Sequence, residues 1–244
     1  MQKKKITGRI KYFANRILYP NKYSTDAYVK YLRSIGAKIG EGTRFITPKN
    51  TSFDENRAEY ISIGKNCCIT KCTIMAHDYS WYVFKDAFDD VLPDAGGKVT
   101  IGNNCFIGYE SIILKDTEIG DNVIIAAGAV VKGRVPSNTV WGGVPARQIC
   151  TLKELYEKKA TVRVEDAFYR YRVVSETRKP SIKDMGMFAV LFLKRTEDNY
   201  LKYIAPIEFN GICNAPQIRK YFFESLPMFN GFEEFEKAYK KQLV

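Results

Sequence analysis

The sequence predicts a mainly β protein in which short strands repeat every six residues and stack into a coil. Three observations indicate this: apolar residues recur at every sixth position, a small or β-branched residue stands two positions before most of them, and glycine often follows. Neither an amphipathic helix nor an alternating strand has a strict period of six. The recurring apolar positions are Ile63, Ile69, Met75, Ile101, Ile107, Ile113, Ile119, Ile125 and Val131.

Six residues have room for a short strand and a turn but not for a helix. Each apolar residue is therefore expected to point inward and to stack on those of neighbouring turns. Small residues are expected at the corners, and they are Cys67, Thr73, Cys105, Ser111, Thr117, Val123 and Ala129. The glycines after the apolar positions are expected to supply the backbone angles of the corners. They are Gly64, Gly102, Gly108 and Gly120.

Two stretches of the repeat, residues 101–108 and 119–131, resemble the hexapeptide-repeat acyltransferases. Residues 141–147 resemble the stretch that closes the repeat in this family, although Val144 stands where asparagine is usual. The resemblance extends from about Ile39 to Ile149. It implies a left-handed parallel β-helix of triangular cross-section, with three repeats in each coil.

The segments that flank the repeat are expected to be helical. Apolar and basic side chains recur at helical spacing over residues 6–18, which predicts a basic amphipathic helix. This helix either packs on the coil with its charges in water or lies on an anionic membrane. A second helix is expected between Ser24 and Gly36. The predicted parts are an N-terminal helical segment at 1–38, the β-helix at 39–150 with a projecting loop at 78–98, and a mainly helical C-terminal extension at 151–244.

The C-terminal extension has its own start signal. Thr151 and Glu154 have the spacing of a capping box, so a helix is expected to begin there. Residues 227–235 resemble the C-terminal extension of a subgroup of bacterial polysaccharide acetyltransferases. Turns are expected at Pro180, Pro206, Pro216 and Pro227.

Composition limits the function classes. Of the 244 residues, 45% are hydrophobic, and no apolar run is long enough to span a bilayer. No signal-peptide pattern follows the basic start, so we expect a cytoplasmic protein, with association at the inner face of the membrane left open. The net charge of +11 favours anionic partners, but no zinc-finger, RNP-like or helix-turn-helix pattern supports nucleic acid.

The cysteines predict packing and no metal site. The chain has six of them, without a spaced disulfide framework. Cys67, Cys68 and Cys72 match no common zinc spacing. Cys67 and Cys105 occupy corner positions of the repeat, so packing explains them without a reactive thiol.

His77 is the only histidine in the chain. It follows the marker Met75 by two residues and opens the interruption of the repeat, so it is expected at the root of a projecting loop beside a cleft. The segment 77–81 resembles the active-site segment of the family, which implies that His77 is the general base. Imidazole suits this task because its unperturbed pKa lies near neutrality. Asp78 and Glu110 are candidates to orient His77, although solvated loop carboxylates are commoner.

The same resemblance implies a site for acetyl-CoA, with the pantetheine arm along a coil edge between neighbouring subunits. The matching residues are Gly108, Tyr109, Ala126, Ala127, Lys132 and Arg147. The cation after the paired valines is left open between Lys132 and Arg134. A basic group has a direct rationale there because the phosphates of CoA are anionic.

The sequence therefore predicts a homotrimeric, acetyl-CoA-dependent O-acetyltransferase. The acceptor is expected to be a saccharide or lipid-linked sugar in surface polysaccharide biosynthesis. N-acetylation of an amino sugar or acetylation of a small molecule is the alternative. A non-catalytic β-helix scaffold is disfavoured by the position of His77. A β-helix zinc carbonic anhydrase is disfavoured because such enzymes use several histidines per site.

Overall fold

The computed structural model describes residues 14–93, 95–208 and 215–242. The chain divides into two compact units, Met1–Leu155 and Tyr156–Val244. Of the basic helix predicted at 6–18, residues 14–18 are helical, and residues 6–13 lie outside the described part. None of the helices in the described ranges is both long enough and apolar enough to cross a membrane.

The first unit is built from short strands. The strands are β1 (Lys38–Ile39), β2 (Arg44–Phe45), β3 (Ser52–Phe53), β4 (Ile61–Ile63), β5 (Cys68–Ile69), β6 (Thr73–Ile74), β7 (Val99–Ile101), β8 (Phe106–Ile107), β9 (Ile112–Ile119), β10 (Ile124–Ile125), β11 (Val130–Val135), β12 (Thr139–Gly142) and β13 (Arg147–Thr151). Short 3₁₀ helices occupy Pro48–Asn50 and Glu55–Tyr60.

These strands stack in three columns, which we call faces A, B and C. Face A contains Ile39, Ile63, Ile101, Ile119 and Val135. Face B contains Phe45, Ile69, Ile107, Ile125 and Trp141. Face C contains Phe53, Ile74, Ile113 and Val131. The chain visits A, B and C in turn through parallel pairings, until β13 returns antiparallel to β12.

The architecture is therefore the left-handed parallel β-helix of hexapeptide repeats that the sequence predicts. Eight of the nine predicted inward positions are buried, and Met75 is the exception, with 37% of its surface exposed. Ile74 takes the inward place because the unit after Ile69 contains five residues. Accordingly Cys72, and not Thr73, is buried at that corner.

The glycines after the inward positions are required by space and not by backbone angle. Gly64, Gly102 and Gly120 do not have positive φ, so the expectation of special backbone angles at these positions is wrong. A Cβ on Gly64 would lie 2.6 Å from the carbonyl carbon of Gly102, and a Cβ on Gly102 would lie equally close to that of Gly120. The coils can stack at this spacing only if these positions lack a side chain.

Asparagines adopt the left-handed angles instead. They form a column along the A–B edge, the corner between faces A and B. Asn104 Nδ2 donates to Asn122 Oδ1 at 2.8 Å, and Asn122 Nδ2 donates to Asn138 Oδ1 at 3.0 Å. Asparagine tolerates this backbone region better than most residues. The column with positive φ consists of Asn66, Asn104, Asn122 and Asn138.

Helix α1 (Thr25–Ser34) packs on the core of the first coils. Ser24 is its N-cap, and the Ser24 hydroxyl accepts the N–H of Ala27 at 3.2 Å. Tyr28 and Leu32 are fully buried in the same cluster as the inward residues of the coil. The predicted second helix is confirmed.

The interruption of the repeat leaves from the C–A edge, between faces C and A. Its root is closed by the N–H of Gly97, which donates to the carbonyl of Ala76 at 2.7 Å. The insertion contains an eight-residue helix, α2 (Trp81–Phe88), where the sequence predicts only a loop. None of the residues of α2 is buried.

The second unit is helical. Its helices are α3 (Leu152–Ser175), which begins in the first unit, a 3₁₀ segment (Ile182–Leu191), α4 (Glu197–Asn199), a π segment (Tyr200–Ile204), α5 (Ala205–Glu208), α6 (Ala215–Glu224) and α7 (Phe232–Lys241). The capping box predicted before α3 is present: Glu154 Oε2 accepts the N–H of Thr151 at 2.7 Å, and Thr151 Oγ1 accepts the N–H of Glu154 at 3.2 Å.

Aromatic side chains form the core of this unit. Phe168, Phe192, Phe222 and Phe235 belong to one buried cluster, and Phe235 lies 5.1 Å from both Phe168 and Phe192 between ring centroids. Two of the predicted turns are wrong. Pro216 lies in the first turn of α6, where a missing N–H costs no helical hydrogen bond, and Pro206 lies in α5, which continues directly from the π segment.

Candidate active site

His77 lies on the C–A edge, three residues after β6 ends. Met75 is exposed, Ala76 is fully buried, and 16% of the His77 side chain is exposed. The buried Ala76 fixes the backbone directly before the histidine. The imidazole is thus held at the edge of a rigid coil while it keeps contact with solvent.

A buried carboxylate from the preceding coil contacts the imidazole. Asp54 Oδ2 lies within hydrogen-bonding distance of His77 Nδ1 and also accepts the N–H of Ala76 at 2.8 Å. Asp54 directly follows β3, and its N–H donates to the carbonyl of Ile74 at 3.0 Å. Only 5% of the Asp54 side chain is exposed. When Nδ1 carries the proton and donates it to Asp54, Nε2 is left as the basic nitrogen.

The two carboxylates suggested by the sequence have other partners. Asp78 Oδ1 accepts the Ser80 N–H at 3.0 Å, and Asp78 Oδ2 pairs with Lys115 Nζ at 2.5 Å. Glu110 pairs with Lys71 at 2.5 Å on the B–C edge. Of the open alternatives, the role of orienting His77 thus goes to neither Asp78 nor Glu110, since Asp54 is the carboxylate at Nδ1.

The six-residue repeat gives no signal for Asp54. Phe53 pairs with Ile74, so 21 residues separate these register partners. In the regular coils, 18 residues separate partners such as Ile101 and Ile119. The six-residue period therefore does not align Asp54 with His77. Only the register between β3 and β6 shows that the two residues meet.

Tyr79 forms a second boundary of the site. Its ring packs edge-on against the imidazole, with 4.8 Å between centroids and an interplanar angle of 89°. The Tyr79 side chain is otherwise open to solvent, with 63% of its surface exposed. The histidine is thus contacted by a buried residue of the coil and by an exposed residue of the insertion.

Most of the predicted CoA residues meet on the B–C edge. Gly108 lies beneath Ala126 and Ala127 of the next coil, because a Cβ on Gly108 would lie 2.5 Å from the Ala127 nitrogen. The carbonyl of Tyr109 accepts the N–H of Gly128 at 2.8 Å. Ala127 and Gly128 are exposed, which leaves their backbone open to a ligand.

Arg147 and Lys132 lie on different edges of the coil. Arg147 begins β13 opposite Gly142, whose added Cβ would lie 3.0 Å from the Cβ of Ala126, and the Arg147 side chain is exposed. Lys132 follows Val131 of face C, and so lies on the C–A edge with His77, two coils further along. Arg134 instead pairs in register with Glu118 on face A, and both are exposed.

Cys67, Cys72 and Cys105 are buried thiols. Hydrogen bonding with Cys105 lowers the pKa of the Cys67 thiol to about 7, but burial in the coil leaves this thiol no access to a substrate. Burial raises the pKa of the Cys72 thiol to about 12. The neighbouring Cys67 thiol and burial both raise the pKa of Cys105. A thiol with a raised pKa is protonated at neutral pH and unreactive.

Across the described ranges, no three side chains of His, Cys, Asp or Glu are grouped so that they could hold a metal ion.

Comparison with known proteins agrees with this geometry. Residues 98–133 match the bacterial transferase hexapeptide family, described as six repeats. The chain is 34% identical to Protein CapG of Staphylococcus aureus over 149 residues, which cover 61% of this chain and 83% of that protein. It is 32% identical to the putative acetyltransferase YvoF of Bacillus subtilis, with 56% of this chain and 86% of that protein covered.

A further relative is named for a role in lipopolysaccharide biosynthesis. The putative O-acetyl transferase WbbJ of Escherichia coli is 33% identical over 98 residues, which cover 37% of this chain and half of WbbJ. Among solved structures, soybean serine acetyltransferase complexed with serine matches with a TM-score of 0.38 and 26% identity. The match covers 47% of this chain and 40% of that enzyme. From the coil, its repeat and the two relatives spanned almost in full, the chain belongs to the bacterial hexapeptide-repeat transferases, a family of acetyltransferases.

Proposed function

We propose that this protein transfers an acetyl group from acetyl-CoA to a hydroxyl of a saccharide, with His77 as the general base. The contact between His77 Nδ1 and the buried Asp54 carboxylate is the observation that carries the proposal. A structural histidine needs no buried carboxylate, whereas a base benefits from one that fixes its tautomer and stabilises its charged form.

In this mechanism Nε2 of His77 accepts the proton of the acceptor hydroxyl as its oxygen attacks the thioester carbonyl that acetyl-CoA supplies. The imidazolium then donates that proton to the departing thiolate, so the histidine ends neutral. Asp54 holds Nδ1 throughout and offsets the positive charge on the ring. Backbone N–H groups are candidates to stabilise the charge that develops on the carbonyl oxygen.

Acetyl-CoA fits the chemistry of the two edges. Exposed Ala127 and Gly128 offer backbone polar groups to a pantetheine arm, and exposed Arg147 and Lys132 offer cations to its phosphates. In a single chain, however, face C separates Ala127 from His77 and Lys132. We therefore propose a homotrimer in which the B–C edge of one copy lies beside the C–A edge of its neighbour.

A saccharide acceptor in surface polysaccharide biosynthesis is supported by the relative named for lipopolysaccharide O-acetylation. A lipid-linked sugar would place the enzyme in the cytoplasm at the inner face of the membrane. The alternative is N-acetylation of an amino sugar or small molecule. It is supported by a tetrahydropyridine dicarboxylate N-acetyltransferase of S. aureus, which is 34% identical over 70 residues.

The test is release of free thiol from acetyl-CoA with a panel of neutral saccharides, nucleotide sugars, lipid-linked sugars and amino sugars. We expect thiol release with a hydroxyl acceptor and a product whose ester is cleaved by mild base. The His77→Asn variant should lose about a hundredfold to ten-thousandfold of the turnover, the usual contribution of a general base. An amide product would instead favour N-acetylation, and unchanged turnover in His77→Asn would reject the histidine as base.

A further inference from the structure

An ion pair links the root of the insertion that carries Tyr79 to the coil. Asp78 is the first residue after His77, and its Oδ2 pairs with Lys115 Nζ at 2.5 Å. Lys115 belongs to β9, the neighbour of β6 on face C. The ion pair therefore links the start of the insertion to the next coil.

The same carboxylate organises the start of α2. Asp78 Oδ1 accepts the Ser80 N–H at 3.0 Å and the Ser80 hydroxyl at 2.6 Å, and Ser80 immediately precedes Trp81. Lys115 and these Ser80 contacts hold the pKa of the Asp78 carboxyl well below its usual range. The carboxylate consequently stays charged at every pH at which the protein would be assayed.

Tyr79 lies between Asp78 and Ser80, which are linked by the hydrogen bonds of the Asp78 carboxylate. Its ring can pack on the imidazole of His77 only while the backbone of residues 78–80 keeps its position. Packing of α2 supplies little of that restraint, since none of its residues is buried and Trp81 and Phe84 are only half-buried. The ion pair itself is partly shielded from water, since 22% of the Lys115 side chain and 40% of the Asp78 side chain are exposed.

We infer that Asp78 and Lys115 are positioning residues that hold the insertion over His77 and so set the approach of the acceptor. The ion pair acts on the insertion, whereas the backbone groups assigned to the pantetheine arm of acetyl-CoA lie on the B–C edge. Loss of the pair should therefore weaken use of the acceptor more than use of acetyl-CoA. The kinetic part of this inference rests on the proposed function.

The first test needs no turnover. Hydrogen exchange of the backbone amides in residues 79–92 is compared in wild type, Asp78→Asn and Lys115→Gln. Both variants should exchange about threefold to tenfold faster there, the range expected for a partly exposed ion pair with an attached hydrogen bond. Lys115→Arg keeps the charge and should restore wild-type exchange. Asp86→Asn is the matched control, because Asp86 lies in α2 and, within the described part of the chain, pairs with its neighbour Lys85 at 3.6 Å.

The second test is kinetic. Lys115→Gln should raise the KM for the acceptor or lower kcat by about tenfold in total, with a clearly smaller change in the KM for acetyl-CoA, because orientation of one reactant is lost. Lys115→Arg should recover most of this. Wild-type exchange and wild-type acceptor kinetics in both neutral variants would overturn the inference. If the wild type acetylates no acceptor, the proposed function fails, and the exchange measurement alone decides whether the ion pair holds the insertion.

Discussion

At the scale of single residues, the chemistry of this protein depends on the pairing of His77 with Asp54. Asp54 Oδ2 accepts the Ala76 N–H and contacts His77 Nδ1, so one buried oxygen fixes both the backbone and the ring. The neighbouring Tyr79 packs on the ring without a hydrogen bond between them in the described structure. The negative charge that influences proton transfer at His77 is thus the charge of the Asp54 carboxylate.

Asp54→Asn should separate charge from geometry. The amide oxygen can still accept the Ala76 N–H and the Nδ1 proton, so the fold should be retained. The imidazolium that forms during turnover loses its compensating charge, and kcat should fall about tenfold to a hundredfold. Steady-state kinetics and thermal melting of the same preparation measure the two effects.

Glu118→Gln is the control for Asp54→Asn, since Glu118 is an exposed carboxylate on face A. It should leave both kcat and the melting temperature unchanged. A similar loss of kcat in both variants would mean that the general field of the protein, and not the contact at Nδ1, supports catalysis.

At the scale of elements, the spacing of the coils depends on residues without side chains. A Cβ on Gly102 would lie 2.5 Å from Asp121 Oδ1 and 2.6 Å from the Gly120 carbonyl carbon. Backbone atoms at this distance cannot move aside independently, because each belongs to a paired strand. The stacked glycines therefore set how closely consecutive coils approach.

Gly102→Ala is expected to destabilise the protein by about 1–3 kcal/mol, the cost of forcing an extra carbon into a packed interior. Urea denaturation measures this directly. Gly133→Asn is the matched control: Gly133 has φ +82°, which asparagine tolerates, and no atom lies within 4 Å of its added Cβ. Equal losses in the two variants would show that backbone freedom, and not space, explains the glycine column.

The edges of the coil also distinguish the cations proposed to bind CoA. Lys132 lies on the edge of His77, and Arg147 lies opposite Gly142 on β12, whereas Arg134 lies on face A. Lys132→Ala and Arg147→Ala should each raise the KM for acetyl-CoA about tenfold with little change in kcat, because a contact to a remote phosphate is shared by ground and transition states. Arg134→Ala should behave as wild type in the same assay. A raised KM for acetyl-CoA in Arg134→Ala, with an unchanged KM in Lys132→Ala, would instead place the phosphate site on face A.

At the scale of the whole molecule, the proposed site is complete only when two copies combine their edges. Size exclusion with light scattering should give about three times the chain mass of 27.9 kDa. Mixing His77→Asn with Ala127→Trp, each expected to be inactive alone, should restore activity after the subunits are exchanged. Each mixed trimer then contains a site built from an intact His77 and an intact Ala127.

Two results would contradict the composite site. An active monomer would show that one chain suffices. Absence of rescue in trimers shown by tagged pull-down to contain both variants would show that His77 and Ala127 of the same chain serve one site.

The sequence by itself determined the β-helix, its repeat, the start of α3 and the family, because each depends on patterns within about twenty residues. The six-residue period identified eight buried positions correctly and failed only at Met75, where one unit is a residue short. The capping box at Thr151 was likewise a local signal.

Only the tertiary structure decided which residues meet. Asp54 contacts His77 because β3 pairs with β6 in a register that no period predicts. Asp78, although adjacent to His77 in sequence, pairs with Lys115 of the next coil. Lys132 and Arg147, both predicted to bind one ligand, lie on different edges. The physical reason is that strand pairing and side-chain contact act between coils, across separations that vary with every inserted or missing residue.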